Sequence, residues 1–227
     1  MRLKGIVNKI QDETLRQRVL EFLNDLTVEV EGKTYVGKTL EEAPASRFRH
    51  HSYPGGLIEH IVSAVKIAIA LCDSVEKIYR GKVNRDLVIG GVLLHDILKP
   101  LTYDIKEDGS YVSSPLGERL DHLTLIVSEM IKRGFPLDLI HIVAASHGEA
   151  GPITPKTVEA LICHLADVAD SRLNGEVLNA AKYLSKEVAG EFLEIIDSET
   201  AFKIVNSKAT GGWDLLQSII EKIKQKE

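Results

Sequence analysis

Apolar residues recur at helical spacing over most of this chain. Over 9–26, Ile10, Leu15, Val19, Phe22, Leu23 and Leu26 share one side, which predicts the first helix. Residues 27–36 alternate loosely around Glu31-Gly32, the pattern of a small hairpin or an extended loop. Residues 43–56, APASRFRHHSYPGG, form a loop broken by Pro44, Pro54 and paired glycines. A long helix is expected over 57–79, with Ile58, Ile61, Val62, Val65, Ile69 and Cys72 facing inward. The stretch 86–99, DLVIGGVLLHDILK, has almost no polar face and reads as a buried core helix stopped by Pro100. A second hairpin follows at 102–114, turning at Glu107-Asp108-Gly109-Ser110.

Helical spacing resumes at 117–133 and at 136–146, the latter with proline in its first turn. After a break at 147–153, Thr154 should cap and Pro155 open a helix running to about Asn174. Val158, Leu161, Ile162, Leu165, Val168 and Leu173 form its apolar side. Ala160, Cys163, His164, Asp167, Asp170, Ser171 and Asn174 form a second stripe, small and polar throughout. A solvated face would carry Lys and Glu, so this stripe reads as the wall of a polar cavity. Residues 175–227 give three more amphipathic helices, broken near Gly190 and at Gly211-Gly212. The expected class is all-α, a helical bundle with one or two small β-hairpins. It is read as one domain over 1–227, with its core at about 52–174 and helices of 175–227 packed on it.

Composition narrows the function. With 28 basic against 33 acidic residues the net charge is −5, which argues against a broad nucleic-acid surface but not against a small phosphate pocket. Cys72 and Cys163 lie in apolar helical stretches, as in a reducing compartment. The first residues turn polar too early for a signal peptide, and no apolar run reaches membrane-spanning length. A cytoplasmic protein without membrane contact is expected.

The chemistry gathers at the end of the apolar stretch, where His95 and Asp96 stand side by side. A carboxylate there is costly unless paired, hydrogen-bonded or bound to a cation, and His beside Asp suits a divalent metal. His60, His122, His147 and Asp167 lie on other helices, mostly near an end, and bundles build metal sites from such converging side chains. Arg47, Arg49, His50 and His51 belong either to a solvated loop or to one overhanging an anionic ligand.

In this order the segments GGLIEH (His60), LLHDILK (His95, Asp96), DHLTL (His122), SHGE (His147) and HLADVAD (Asp167) resemble the HD superfamily of metal-dependent phosphohydrolases. The resemblance covers 52–171. The nearest groups are the archaeal dihydroneopterin 2′,3′-cyclic phosphate phosphodiesterases and the HD domain of bacterial 3′→5′ exoribonucleases. It implies one metal on His60, His95, Asp96 and Asp167, and a second on His122 and His147 with Asp96 bridging. Asp96 and Lys99 would be catalytic, Lys99 also meeting the substrate phosphate. Arg47, Arg49, His51, Arg119, His164 and Asp170 are the other expected substrate contacts.

Two positions depart from the family pattern. Ser146-His147-Gly148 replaces His-His-Gly, so the second ion depends on which position supplies its ligand, and Asp121 replaces the glycine before His122. One or two divalent transition ions are expected, Fe(II) or Mn(II) ahead of Ni, Co or Zn, because the donors mix nitrogen with oxygen. The expected activity is hydrolysis of a nucleotide- or pterin-sized phosphodiester, with a 2′,3′-cyclic ester the best single guess. The exoribonucleases usually carry an N-terminal OB domain, which the short helix before Thr27 cannot supply, so nucleic acid is not expected. A di-iron oxygenase and a non-catalytic nucleotide-binding module are the alternatives, and a homo-oligomer is left open.

Overall fold

The structure, a computed structural model, describes residues 2–190, 193 and 197–225. Its elements are α1 (Arg2–Val7), α2 (Glu13–Asn24), β1 (Val28–Val30), β2 (Lys33–Tyr35), α3 (Gly56–Lys77) and α4 (Arg85–Leu94). Then come β3 (Tyr103–Ile105), β4 (Tyr111–Ser113), α5 (His122–Lys132), α6 (Leu137–Ala144), α7 (Val158–Ala189) and α8 (Ser198–Lys224). The two hairpins are antiparallel, pairing Val28 with Tyr35 and Tyr103 with Ser113. The class is all-α, as the hydrophobic spacing predicts. Among the described residues no helix is long and apolar enough to cross a membrane.

Helix α4 is the axis of the bundle. It packs against α1, α2, α3, α6 and α7, and every residue from Val88 to Thr102 is buried. Gly91 allows its closest contact, since a Cβ there would lie 2.3 Å from Ile142 Cγ2 on α6. A second apolar cluster joins the later part of α7 to α8 through Leu178, Ala181, Ile204, Leu216 and Ile220, and Tyr53 reaches into it from the 43–56 loop.

Polar caps set several helix ends that periodicity misplaces. Asp12 accepts the Leu15 N–H at 2.9 Å, so α2 begins at Glu13 rather than Lys9, and α1 precedes it unpredicted. Asp121 accepts the Thr124 N–H at 2.6 Å and starts α5 at His122, five residues after the expected point. Pro136 stands just before α6. Thr157, not Thr154, caps α7 by accepting the Ala160 N–H at 3.1 Å.

Helix α4 ends at Leu94, short of Lys99. Pro100 has no N–H for the Asp96 carbonyl, and its ring crowds that carbonyl. The chain tightens instead, with Ile97 N–H on Leu94 O and Lys99 N–H on Asp96 O, and a 3-10 turn follows at Lys99–Leu101. Asp96 therefore sits in a rigid turn beyond the helix.

Helix α7 corrects two expectations. It runs through Gly175 to Ala189, ending where Gly190 takes φ 75°. Gly175 is a point of close approach, because a Cβ there would lie 3.2 Å from the Arg49 carbonyl oxygen. Its small polar stripe turns inward, as the cavity-wall reading expects, and of the apolar side Ile162 is buried while most of the rest faces out. Val158, Leu161, Leu165 and Leu173 are 44–58% exposed, while Ala160, Cys163, Asp170 and Asn174 are buried. The two helices expected after Gly190 are halves of α8 on either side of a kink at Gly212 (φ 66°, ψ −154°).

Candidate metal centre

Four helices and the turn after α4 bring the polar residues together. His60 lies in the second turn of α3, His95 caps α4, Asp96 sits in the tight turn, His122 opens α5, His147 follows α6 and Asp167 is on the inner face of α7. His60 and His95 are fully buried and Asp96 is 1% exposed.

Two groups of donors result. In the first, His60 Nε2 lies 3.3 Å from His95 Nε2, 3.3 Å from Asp167 Oδ1 and 3.4 Å from Asp96 Oδ2. Both rings are aimed from behind. His60 Nδ1–H donates to Asp170 Oδ2 at 2.6 Å, and His95 Nδ1–H donates to the Val92 carbonyl at 2.8 Å. Those bonds fix the tautomers and turn both Nε2 lone pairs toward one point, the usual arrangement behind metal-bound imidazoles. In the second group, Asp96, His122 and His147 bring ligand atoms within 4.8 Å of one another. His122 Nε2 lies 3.1 Å from Asp96 Oδ1, yet both atoms are buried without a hydrogen-bond partner.

The electrostatics favour positive charge at this point, and an ion bound here would displace the protons that the carboxylates hold on His60 and His95. Burial opposes charge on His60, but Asp167, Asp170 and Asp96 together hold its pKa well above the ordinary value. His95 is raised against burial in the same way, by Asp96 and Asp167. Burial would raise Asp96, and His95, Lys99, His122 and His60 outweigh it and hold its pKa well below the carboxylate range. Burial lowers the pKa of His147, with His122 adding to the effect, so its imidazole is neutral and able to ligate. Orphaned oxygen and nitrogen, aimed lone pairs and a mixed N/O donor set fit a divalent transition ion.

The expected substrate residues divide. Lys99 is buried with Nζ 2.5 Å from Asp96 Oδ2, inside the cluster. Arg47 donates to Ser113 Oγ at 3.2 Å, clipping the 43–56 loop to the second hairpin. His164 donates from Nδ1 to the Ser146 carbonyl at 2.7 Å, and its ring rests on Gly148, where φ is +56° and a Cβ would lie 2.4 Å from Cε1. Arg49 is exposed beside Phe48. Asp170 and His51 lie behind His60. Asp170 is bound to His60, and His51 is 2% exposed with Nε2 3.7 Å from Asp170 Oδ2. Arg119 folds back onto the Pro115 carbonyl at 2.8 Å and is not drawn into the cluster.

Sequence reasoning missed two neighbours. Asn174 accepts the His51 N–H at 2.6 Å and donates to Ser198 Oγ at 2.7 Å, anchoring the loop over α7; its place on the polar stripe was the available signal. Tyr103 is half-buried beside Lys99; burial raises its pKa and Lys99 opposes the rise. Nothing in the local pattern marked it.

Comparison with known proteins agrees with this geometry. The HD domain family matches residues 57–172, the stretch that holds all six converging residues. The dihydroneopterin 2′,3′-cyclic phosphate phosphodiesterase of Methanocaldococcus jannaschii is 42% identical over 93% of this chain and 84% of its own length. The 3′–5′ exoribonuclease YhaM of Oceanobacillus iheyensis is 32% identical over 79% of this chain, and that of Geobacillus sp. 33% over 67%. The chain spans 60% and 47% of those two exoribonucleases. No solved structure matches the chain significantly. Extensive identity to a phosphodiesterase, and a family match centred on the buried histidines and aspartates, establish that the chain belongs to the HD domain family and is a metal-dependent phosphohydrolase.

Proposed function

We propose that the protein hydrolyses a small 2′,3′-cyclic phosphodiester of pterin or nucleotide size. The observation that carries this reading is Asp96, whose two oxygens face separate histidine sets, Oδ2 toward His60 and His95 and Oδ1 toward His122. Identity to the Methanocaldococcus enzyme over 84% of its length supports the substrate class. The acidic chain supports a small molecule over a polymer.

His60, His95, Asp96 and Asp167 would hold one ion, and Asp96, His122 and His147 a second. Fe(II) or Mn(II) suits this set best, with Ni, Co and Zn also compatible. Ions bound there would polarise the phosphoryl oxygens and acidify a water. The chain's own groups do the rest. Asp96 fixes the spacing of the two donor sets from one rigid turn. Lys99, held charged by Asp96 although burial opposes it, balances charge on the phosphoryl oxygens. Arg47 approaches from the loop as a second cation. Water adds to phosphorus, one ring P–O bond breaks, and the leaving alkoxide takes a proton to give a monoester.

We further take 1–227 as one functional domain in the cytoplasm, consistent with two buried free cysteines. The test is metal analysis of the purified protein, followed by hydrolysis of cyclic and linear phosphodiesters and single-stranded RNA with each candidate ion. Ring opening of a 2′,3′-cyclic ester is expected. RNA degradation without any cyclic-ester hydrolysis would overturn the proposal.

A further inference from the structure

A groove of about 520 Å³ opens beside the metal cluster, between the 43–56 loop and α7. Its size falls in the range of small-molecule sites. Phe48, Arg49 and His50 line one side, and Ser171, Arg172, Glu176 and Asn179 the other. His50 joins groove to cluster, for its ring centroid is 5.1 Å from that of His60.

The loop side is a rigid aromatic shelf. Phe48 is 65% exposed, with the Arg47 and Arg49 guanidinium carbons each 5.9 Å from its ring centroid. Its flanks are pinned: Arg49 N–H donates to Ser46 Oγ at 3.1 Å, Ala45 N–H to the His51 carbonyl at 3.1 Å, and His51 N–H to Asn174. Arg49 itself lies against Gly175. An exposed aromatic held in this way is ready to stack on a flat ring without further ordering.

The α7 side supplies polar groups. Arg172 and Glu176 stand one helical turn apart, the spacing of a helical ion pair, yet pair neither with each other nor with any described residue. A carboxylate here accepts hydrogen bonds only, so it suits a ring edge carrying adjacent N–H donors. Pterins and guanine share such an edge, a 2-amino group beside a ring N–H, next to an oxo group that Arg172 can meet. Adenine and cytosine present a ring-nitrogen acceptor there, which a carboxylate repels.

We propose that this groove seats the heteroaromatic ring of the substrate, Phe48 stacking on it and Glu176 selecting the 2-amino-oxo edge of a pterin or guanine. The proposal rests on the phosphodiesterase reading and deepens it by naming the specificity residues.

The test uses metal-loaded enzyme and four esters: dihydroneopterin, guanosine and adenosine 2′,3′-cyclic phosphates, and glycerol 1,2-cyclic phosphate, which has no aromatic ring. Phe48→Ala should lower kcat/KM for the ring-bearing esters relative to the glycerol ester by about tenfold, mainly through KM, the size of one lost stacking contact. Glu176→Gln should lower the preference for the pterin and guanosine esters over the adenosine ester by about tenfold. Fluorescence titration with neopterin, which carries no phosphate, reads the groove directly and should weaken in both variants. Unchanged substrate ratios and unchanged neopterin binding would overturn the inference, as would a defect confined to an oligoribonucleotide. If wild-type enzyme hydrolyses no cyclic ester, the phosphodiesterase reading fails, and neopterin binding still decides the groove.

Discussion

The two halves of the candidate metal centre are built differently. His60 and His95 are fully buried, and each has its far nitrogen tied down, to Asp170 and to the Val92 carbonyl. His122 and His147 are half-buried, their rings 5.1 Å apart, and neither is held by a hydrogen bond from behind among the described residues. The first half is held in place by the protein's own hydrogen bonds, and the second lacks that support. Preorganised donors lose less freedom on binding, so the first half should fill first and hold more tightly. Asp96 belongs to both.

Asp96→Ala should therefore have the largest effect. Expected outcomes are loss of both ions by metal analysis and a fall in kcat of about 10³-fold or more, since no other group spans the halves. Helicity should stay near wild type, and the metal-free variant can gain stability because a costly buried charge is gone. Full metal content with normal turnover would rule out the cluster as the active centre.

His122→Ala and His147→Ala, made separately, should each remove one ion and leave the other, with kcat down about a hundredfold. Ser146 replaces the first histidine of a His-His-Gly pattern and leaves His147 as the one imidazole there, so the His147 variant is the sharper of the two. Unchanged stoichiometry in both would reduce the site to the buried half alone.

Asp170→Asn keeps the shape behind His60 but removes the charge. Affinity at the first half should fall about 10- to 100-fold in a competitive chelator titration, the usual cost of losing such a support. The second half should respond only through Asp96. Equal weakening of both ions would mean that the halves do not bind independently.

The smallest effect concerns pH and the roof over the first half. Burial depresses His50 to about 4 and His51 to about 3, against an ordinary value of 6.5. Both are neutral in the fold at pH 7, while the unfolded chain takes up protons as pH falls below about 6.5. Their contribution to stability is therefore full above that point and is lost as pH drops toward 4 and 3. Hydrogen exchange should show the 45–52 loop opening over this window, and His50→Asn should flatten the response. A loop that tightens on acidification would contradict the assignment.

Local chemistry was enough for much of this protein. The apolar run from Leu87 to Leu94 reads as a core helix, and the carboxylate just past it needed a cation or a partner. The turns at Glu31-Gly32 and Gly109, and the ends at Gly190 and Gly212, follow from backbone preferences that a few neighbouring residues impose. Other features depend on partners far along the chain. Periodicity grouped Leu161 with Leu165 and Asp167 with Asp170, and the lack of Lys and Glu on the second stripe pointed it inward, but neither showed that Leu161 and Leu165 would face out. In α7 the polar side turned inward because a carboxylate satisfied by His60 is no longer costly to bury. Asp170 supports His60, 110 positions away, and Gly175 admits the Arg49 carbonyl and does not break a helix. Such roles arise only when distant segments meet, because hydrogen bonds and close contacts act over a few ångströms of space whatever the separation along the chain.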